Sequence, residues 1–304
     1  MNMITAKVNC IVRLRINSDG EGVRSVIFMQ DCPVDCVWCC NPETRKGNNY
    51  KTLTAEQLYS YIERDVPYFL NSEGGITFSG GEPAAQAEFL RKFKDEYCRD
   101  FSVNIESSLY VSKKKLDLLI PVIDEWYTDF KLFDGIKHEK YTGVSNELIK
   151  DNFRYLSQKI DKSKIVVTYP MIPGINTDED NIADMIGFLK SIGVYRIELH
   201  PYRKTNEKKH EKLGLEHMNL PEPENSEFER VKKIFFDEGF VLPDRRAVIE
   251  KDKCNYLKNI RQMLIERDGI PLTIPECTFT GRCKGTCDEC EHELDVIMDF
   301  YRKG

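Results

Sequence analysis

Six short β-rich runs alternate with helical stretches along most of this chain, and that order constrains the fold more than any other feature. The runs are VRSVIFM (23–29), GITFS (75–79), FSVNI (101–105), WYTDFKLF (126–133), KIVVTYPMI (164–172) and VYRIEL (194–199). Helical patterns lie between them over 54–70, opened by a Thr54 cap, and over 84–97, 112–120, 146–158 and 178–191. Strands separated by crossover helices predict an α/β fold with a parallel sheet and helices outside. About six such units suit an open or partial barrel, in which chemistry gathers at the C-terminal ends of the strands. At 304 residues, one large domain with an appendage is expected.

The first strand-end turn is DCPVDCVWCCNPE (31–43), which holds Cys32, Cys36, Cys39 and Cys40. Cys32, Cys36 and Cys39 form CxxxCxxC, with Cys40 pointing elsewhere because adjacent residues seldom ligate one site. Three thiolates on a four-iron four-sulfur cluster leave one iron open to a substrate, whereas a zinc knuckle takes a fourth ligand from Cys40 or elsewhere. Spacing alone leaves both open. Eleven cysteines, most of them in this group and in Cys277, Cys283, Cys287 and Cys290, argue against a secreted disulfide scaffold and for metal or iron–sulfur ligation. The N-terminus, broken by Lys7, Asn9, Arg13 and Arg15, reads as neither signal peptide nor membrane span, so a cytoplasmic location is expected. A net charge of −6 excludes a general nucleic-acid binder.

Further blocks follow in order: TFSGGEP (77–83), ESSLY (106–110), DFKLFD (129–134), HEKYTGVSN (138–146), IPGINTDEDN (172–181) and ELHPYRKTNEKKHEKLG (198–214). Together with SDGEGVRSVIFMQDCPVDCVWCCNPE, they make the chain resemble, over most of residues 10–245, the radical S-adenosylmethionine (radical SAM) enzymes. Within these it resembles the glycyl-radical-enzyme activating enzymes of the pyruvate formate-lyase activase type. The resemblance implies a partial (β/α)6 radical SAM barrel over 1–245 and a Cys-rich C-terminal extension over 246–304. It implies that Cys32, Cys36 and Cys39 hold a 4Fe-4S cluster whose open iron SAM chelates. Ser79, Gly80, Gly81 and Glu82 are expected to bind SAM, with the glycine carbonyls facing its ammonium, Lys131 facing its carboxylate and Trp38 packing its adenine. Glu106, Ser107 and Asp129, with the Tyr127 carbonyl, match a monovalent cation site, an all-oxygen set suited to a hard ion. Taken singly, either acid also fits an ordinary cap or salt bridge.

The implied reaction is reductive cleavage of SAM to a 5′-deoxyadenosyl radical, which abstracts a hydrogen atom from a glycine of a partner glycyl radical enzyme. Asp19 and Gly20 match positions that contact that partner's glycine loop. A flavodoxin- or ferredoxin-type reductant, a monomer and an anaerobic setting are expected. No general acid or base is required, so His200 and His210 read as polar surface or rim residues. KTNEKKHEK (204–212) either grips a partner or is a solvated loop. The chain departs from the family pattern at Glu21, Cys40, Arg203 and Thr168, the last standing where an arginine helps hold SAM. It also carries no ferredoxin-like insertion after the first cysteine group.

Near the C-terminus, ECTFTGRCKGTCDECEHEL (276–294) supplies Cys277, Cys283, Cys287 and Cys290. Four thiols can close a site, so zinc or an auxiliary 4Fe-4S cluster is expected, with Gly281 and Gly285 allowing the tight turns. The bland alternative is four reduced thiols on a mobile tail. Cys283, Cys287 and Cys290 repeat CxxxCxxC, but no strand and GGEP follow, so they do not read as a second SAM site. Cys10, Cys98 and Cys254 stand alone and are expected to be buried structural thiols. Two other functions fit parts of the pattern: a radical SAM enzyme acting on a peptide or small molecule with help from the second site, and a non-catalytic zinc-binding protein.

Overall fold

The chain opens on a long strand, β1 (Ala6–Ile16), and turns back into β2 (Val23–Met29). A short β3 (Lys51–Leu53) follows, then β4 (Gly75–Gly80), β5 (Ser102–Ser107), β6 (Glu125–Asp129), β7 (Ile165–Met171) and β8 (Arg196–Pro201). This computed structural model describes residues 4–45, 47–204, 207–215, 218–243, 248–279 and 283–303. All eight strands form one sheet in the order β3-β1-β2-β4-β5-β6-β7-β8. Every pairing from β2 to β8 is parallel, while β1 lies antiparallel to both β2 and β3. The six parallel strands are the six runs read from the sequence, so the α/β partial barrel holds.

Helices α1 (Ala55–Ile62), α2 (Val66–Leu70), α3 (Ala87–Tyr97), α4 (Lys113–Leu119), α5 (Gly135–Thr142), α6 (Glu147–Lys159) and α7 (Glu179–Ile192) fill the crossovers. Beyond β8 come α8 (Glu207–Lys212), α9 (Asn225–Asp237), α10 (Glu250–Asp268) and α11 (Asp288–Lys303). Thr54 caps α1 through a reciprocal box with Gln57, satisfying two otherwise unpaired backbone donors. The helix expected over 54–70 breaks into α1, a 3-10 turn at Glu63–Asp65 and α2, because Pro67 supplies no amide donor and crowds the carbonyl four residues back. The strand expected to run to residue 133 leaves the sheet after Asp129.

The main core lies between the sheet and α1–α7 and is rich in aromatic rings. Phe130, Phe153 and Phe188 meet edge-on or tilted, and Phe78 meets Phe93 edge-on. A second core sits outside β1. There Leu14, Ile16, Val23 and Tyr68 pack against Leu257, Leu264, Leu294 and Ile297 of α10 and α11. Fully buried Arg261 holds this side together, donating to Glu293 at 2.7 Å and to the Tyr68 hydroxyl at 2.5 Å. Arg13 reaches buried Asp65 on one side and Glu291 of α11 on the other. β1 carries a bulge between Val12 and Arg15, where Leu14 adopts φ +56°. Leu14 thus faces the second core while Arg15 lines the barrel interior.

Candidate functional site

A cavity of about 460 Å³ opens at the C-terminal ends of the parallel strands, a volume suited to a nucleotide-sized ligand. Cys32, Cys36 and Cys39 line one wall, and the tip of β4 from Ser79 to Gly81 lines another. Glu106, Asp129 and Lys131 line a third, with Asp19 below.

The cysteine loop is held from three directions. The Asp31 amide donates to the Thr44 carbonyl at 2.8 Å, the Asp35 and Val37 amides donate to the end of α5, and the Cys39 amide closes a turn onto the Cys36 carbonyl at 3.2 Å. Arg45 donates to the Cys36 carbonyl at 3.2 Å. Burial pushes the Cys32 thiol up to about 11 and the Cys36 thiol up to about 12, and it raises Cys39 as well. These groups therefore carry protons until a metal displaces them. Cys40 lines the same cavity, and its carbonyl accepts from Lys209 of α8 at 2.8 Å. Trp38 is buried, lines the cavity and leans on Tyr141 with ring centroids 6.1 Å apart.

The β4 tip is pressed onto the cysteine loop. The Gly81 and Glu82 amides donate to the Met29 and Asp31 carbonyls at 2.9 and 2.8 Å. A side-chain carbon on Gly81 would fall 2.2 Å from the Asp31 carbonyl oxygen, and one on Gly80, at φ +105°, would fall 2.5 Å from the Met29 nitrogen. Only glycine fits either place. Lys131 is buried, and although burial works against its charge, the Asp129 carboxylate outweighs that and raises its pKa. Lys131 donates to Asp129, whose other oxygen accepts from Thr168 at 2.5 Å. Ser79 donates to Glu106, which burial and the neighbouring Asp19 charge push up to about 7.

Two residues expected at the cofactor do not line the cavity. Glu82 is fully buried behind the β4 tip, with its oxygens accepting from Ser107 at 2.7 Å and from the Ser108 amide at 2.8 Å. Ser107 therefore points at Glu82, away from Glu106 and Asp129. Gly20 lies under the floor, packed on Asn104 and Arg24, while its neighbour Asp19 reaches the cavity. Among the described residues no three His, Cys, Asp or Glu side chains converge closely enough to hold a single metal ion.

The floor also contains Arg15, which sequence reasoning did not place there, and His200 stands on the rim as expected. Arg15 meets Asp19 at 2.5 Å and Ser18 at 3.0 Å, and exposed His200 lies beside Glu198. His210 is buried and lies off the surface. Of the charged run over 204–212, Thr205 and Asn206 lie outside the described residues, as does Gly281. Cys98 and Cys254 are buried as expected; Cys10 is exposed.

The donor set fits the groups that the resemblance implies. The CxxxCxxC thiols with Cys40 beside them, a backbone cradle that only glycine can form and a buried ammonium share one cavity. A metal cluster with one open position would sit at Cys32, Cys36 and Cys39, and a zwitterionic ligand between the β4 tip and Lys131.

The profile of the Radical SAM superfamily matches residues 26–186. The pyruvate formate-lyase-activating enzyme of Staphylococcus epidermidis is 31% identical, the match covering 71% of this chain and 89% of that one. The indoleacetate decarboxylase activating enzyme of Tractidigestivibacter scatoligenes is 26% identical, over 73% of this chain and 91% of that one. Among solved structures, a radical SAM methyltransferase from Sphaerobacter thermophilus superimposes with a TM-score of 0.55 at 14% identity, covering 79% of this chain and 76% of that one. That likeness speaks to the fold. Among the described residues no helix is long and apolar enough to cross a membrane.

Proposed function

We propose, from the premise that this chain belongs to the radical SAM superfamily and within it to the glycyl-radical-enzyme activating enzymes, that it installs a glycyl radical on a large partner enzyme. The observation that carries the reading is the single cavity shared by Cys32, Cys36 and Cys39, the Ser79–Gly81 strand tip and the Lys131–Asp129 pair. With a 4Fe-4S cluster and SAM bound, the chemistry supplied there is one-electron cleavage of a sulfonium followed by hydrogen abstraction from a glycine.

The residues orient and enclose. Cys32, Cys36 and Cys39 hold the cluster and leave one position open. The carbonyls at Gly80 and Gly81 receive the ammonium of SAM, Lys131 its carboxylate, and Trp38 walls its adenine. Glu82 and Ser107 act from behind, fixing the β4 tip. Asp19, kept in place by Arg15, faces the incoming glycine loop. Thr168 contributes a neutral hydroxyl to Asp129 in place of a cation. A monovalent cation between Glu106, Asp129 and the Tyr127 carbonyl is part of the reading, supported by the two acids sharing one wall.

The extension over 246–304 is proposed as an appendage to the barrel, packed on the outer face of β1 through a core the two share, with a second metal site at Cys277, Cys283, Cys287 and Cys290. A flavodoxin- or ferredoxin-type reductant and a monomeric, cytoplasmic protein complete the reading.

The test is anaerobic reconstitution with SAM, reductant and a glycyl radical enzyme from the same organism. A glycyl doublet in the electron-spin spectrum, together with 5′-deoxyadenosine, is expected, and Cys32→Ala should abolish both. Release of 5′-deoxyadenosine with no doublet on any such partner would overturn the partner assignment.

A further inference from the structure

Cys254 has no cysteine near it in sequence, but the fold brings three others towards it. It is buried on α10, with Cys277, Cys283 and Cys290 close enough for their charges to act on it. Cys287 lies near Cys290, whose titration it influences.

The backbone reaches the same arrangement independently. Cys254, Leu257, Lys258 and Arg261 lie at helical spacing and so on one face of α10. Lys258 donates to the Pro275 carbonyl at 2.5 Å, drawing the segment just before Cys277 onto that face. Gly285 packs onto Leu257 and Lys253 so closely that a side-chain carbon would fall 2.5 Å from Leu257, which places the Cys283–Cys287 turn beside Cys254. Arg261 points a guanidinium nitrogen at the Cys290 sulfur, 3.5 Å away, and the Gly285 amide points at the Cys283 sulfur at 3.3 Å. Donors aimed at sulfur, with Lys253, Lys258 and Arg261 close by, suit thiolates that carry negative charge.

We infer that Cys254 is a ligand of the second site, and that this site holds a four-iron four-sulfur cluster. The inference rests on the proposed second metal site and adds a ligand from outside its motif. A mononuclear zinc centre needs its ligands on one point, whereas these thiols are spread over α10, α11 and the segment between them. A cuboidal cluster takes each thiolate at a different iron, and so accepts thiols that stand further apart. Cys254 is thus a fifth candidate for a group that takes four thiolates.

The test uses the full chain with Cys32, Cys36 and Cys39 all changed to alanine, so that the second site is read alone. After anaerobic reconstitution this variant is expected to hold about four irons and to show a reduced-cluster spin signal that SAM does not shift. Adding Cys254→Val, close in size to the thiol, should lower the iron at least about fivefold while the far-UV circular dichroism is unchanged. Cys98→Val, at a buried thiol remote from the group, should leave the iron in place. If the Cys254→Val protein keeps both iron and signal, Cys254 is not a ligand. Should the triple variant hold no iron at all, the second site itself fails; stoichiometric zinc there would overturn the cluster.

Discussion

Glu106 stands at the tip of β5 with Ser79 donating to it, where burial and the nearby Asp19 charge push its pKa up to about 7. An acid whose folded pKa is raised keeps its proton longer than it does in the unfolded chain. Its contribution to stability is therefore full below the ordinary carboxylate range and is lost as the pH rises through about 7. The Glu106→Gln variant has no proton to lose there and lacks this contribution. The melting temperature of the wild type relative to that variant, followed by calorimetry on the metal-free protein, should fall between about pH 5 and about pH 8. A difference that stays flat would mean the carboxyl is already ionised in the folded chain at low pH. Lys131 is raised as well, but for an amine that favours the charged form: burial opposes the charge and the Asp129 carboxylate outweighs it.

At the scale of elements, Glu82 fastens the tip of β4 to the tip of β5. Its carboxylate accepts from Ser107, from the Ser108 amide and from the Ala84 amide at 3.1 Å, all within the protein interior. Glu82→Ala strands these donors and should destabilise the fold by about 2–4 kcal/mol. Glu82→Gln, which keeps an acceptor, should cost less, and urea denaturation compares the two. Equal losses would argue against the hydrogen bonds as the cause. Neither this link nor Cys254 was legible in the sequence, because each joins residues whose proximity only the tertiary fold creates. What could be read was local: six strands by composition, five helices by period, the cysteine loop and the Ser79–Gly81 tip by motif. β1 lies between these cases. Ala6, Val8, Leu14 and Ile16 alternate with Lys7, Asn9, Arg13 and Arg15, which is the period of a half-buried strand, yet the sequence reading uses the stretch only for what it excludes.

For the whole molecule, the second core makes the C-terminal extension part of the stability of the barrel. Leu14, Ile16, Val23 and Tyr68 are each 1% exposed or less, and α10 and α11 cover them. A chain ending at residue 245 would present these four side chains to water as one patch. It should precipitate, or melt at least about 5 °C below the full chain; light scattering and calorimetry decide. A truncated protein as soluble and stable as the parent would show the extension to be an inert attachment. The bulge at Leu14 carries the matter further, because at that point β1 is a party wall. Leu14 is pressed by the appendage outside, and Arg15, next along the same backbone, steadies Asp19 in the room within. Whatever displaces the appendage therefore bears on the same short stretch of backbone that seats Asp19 in the cavity.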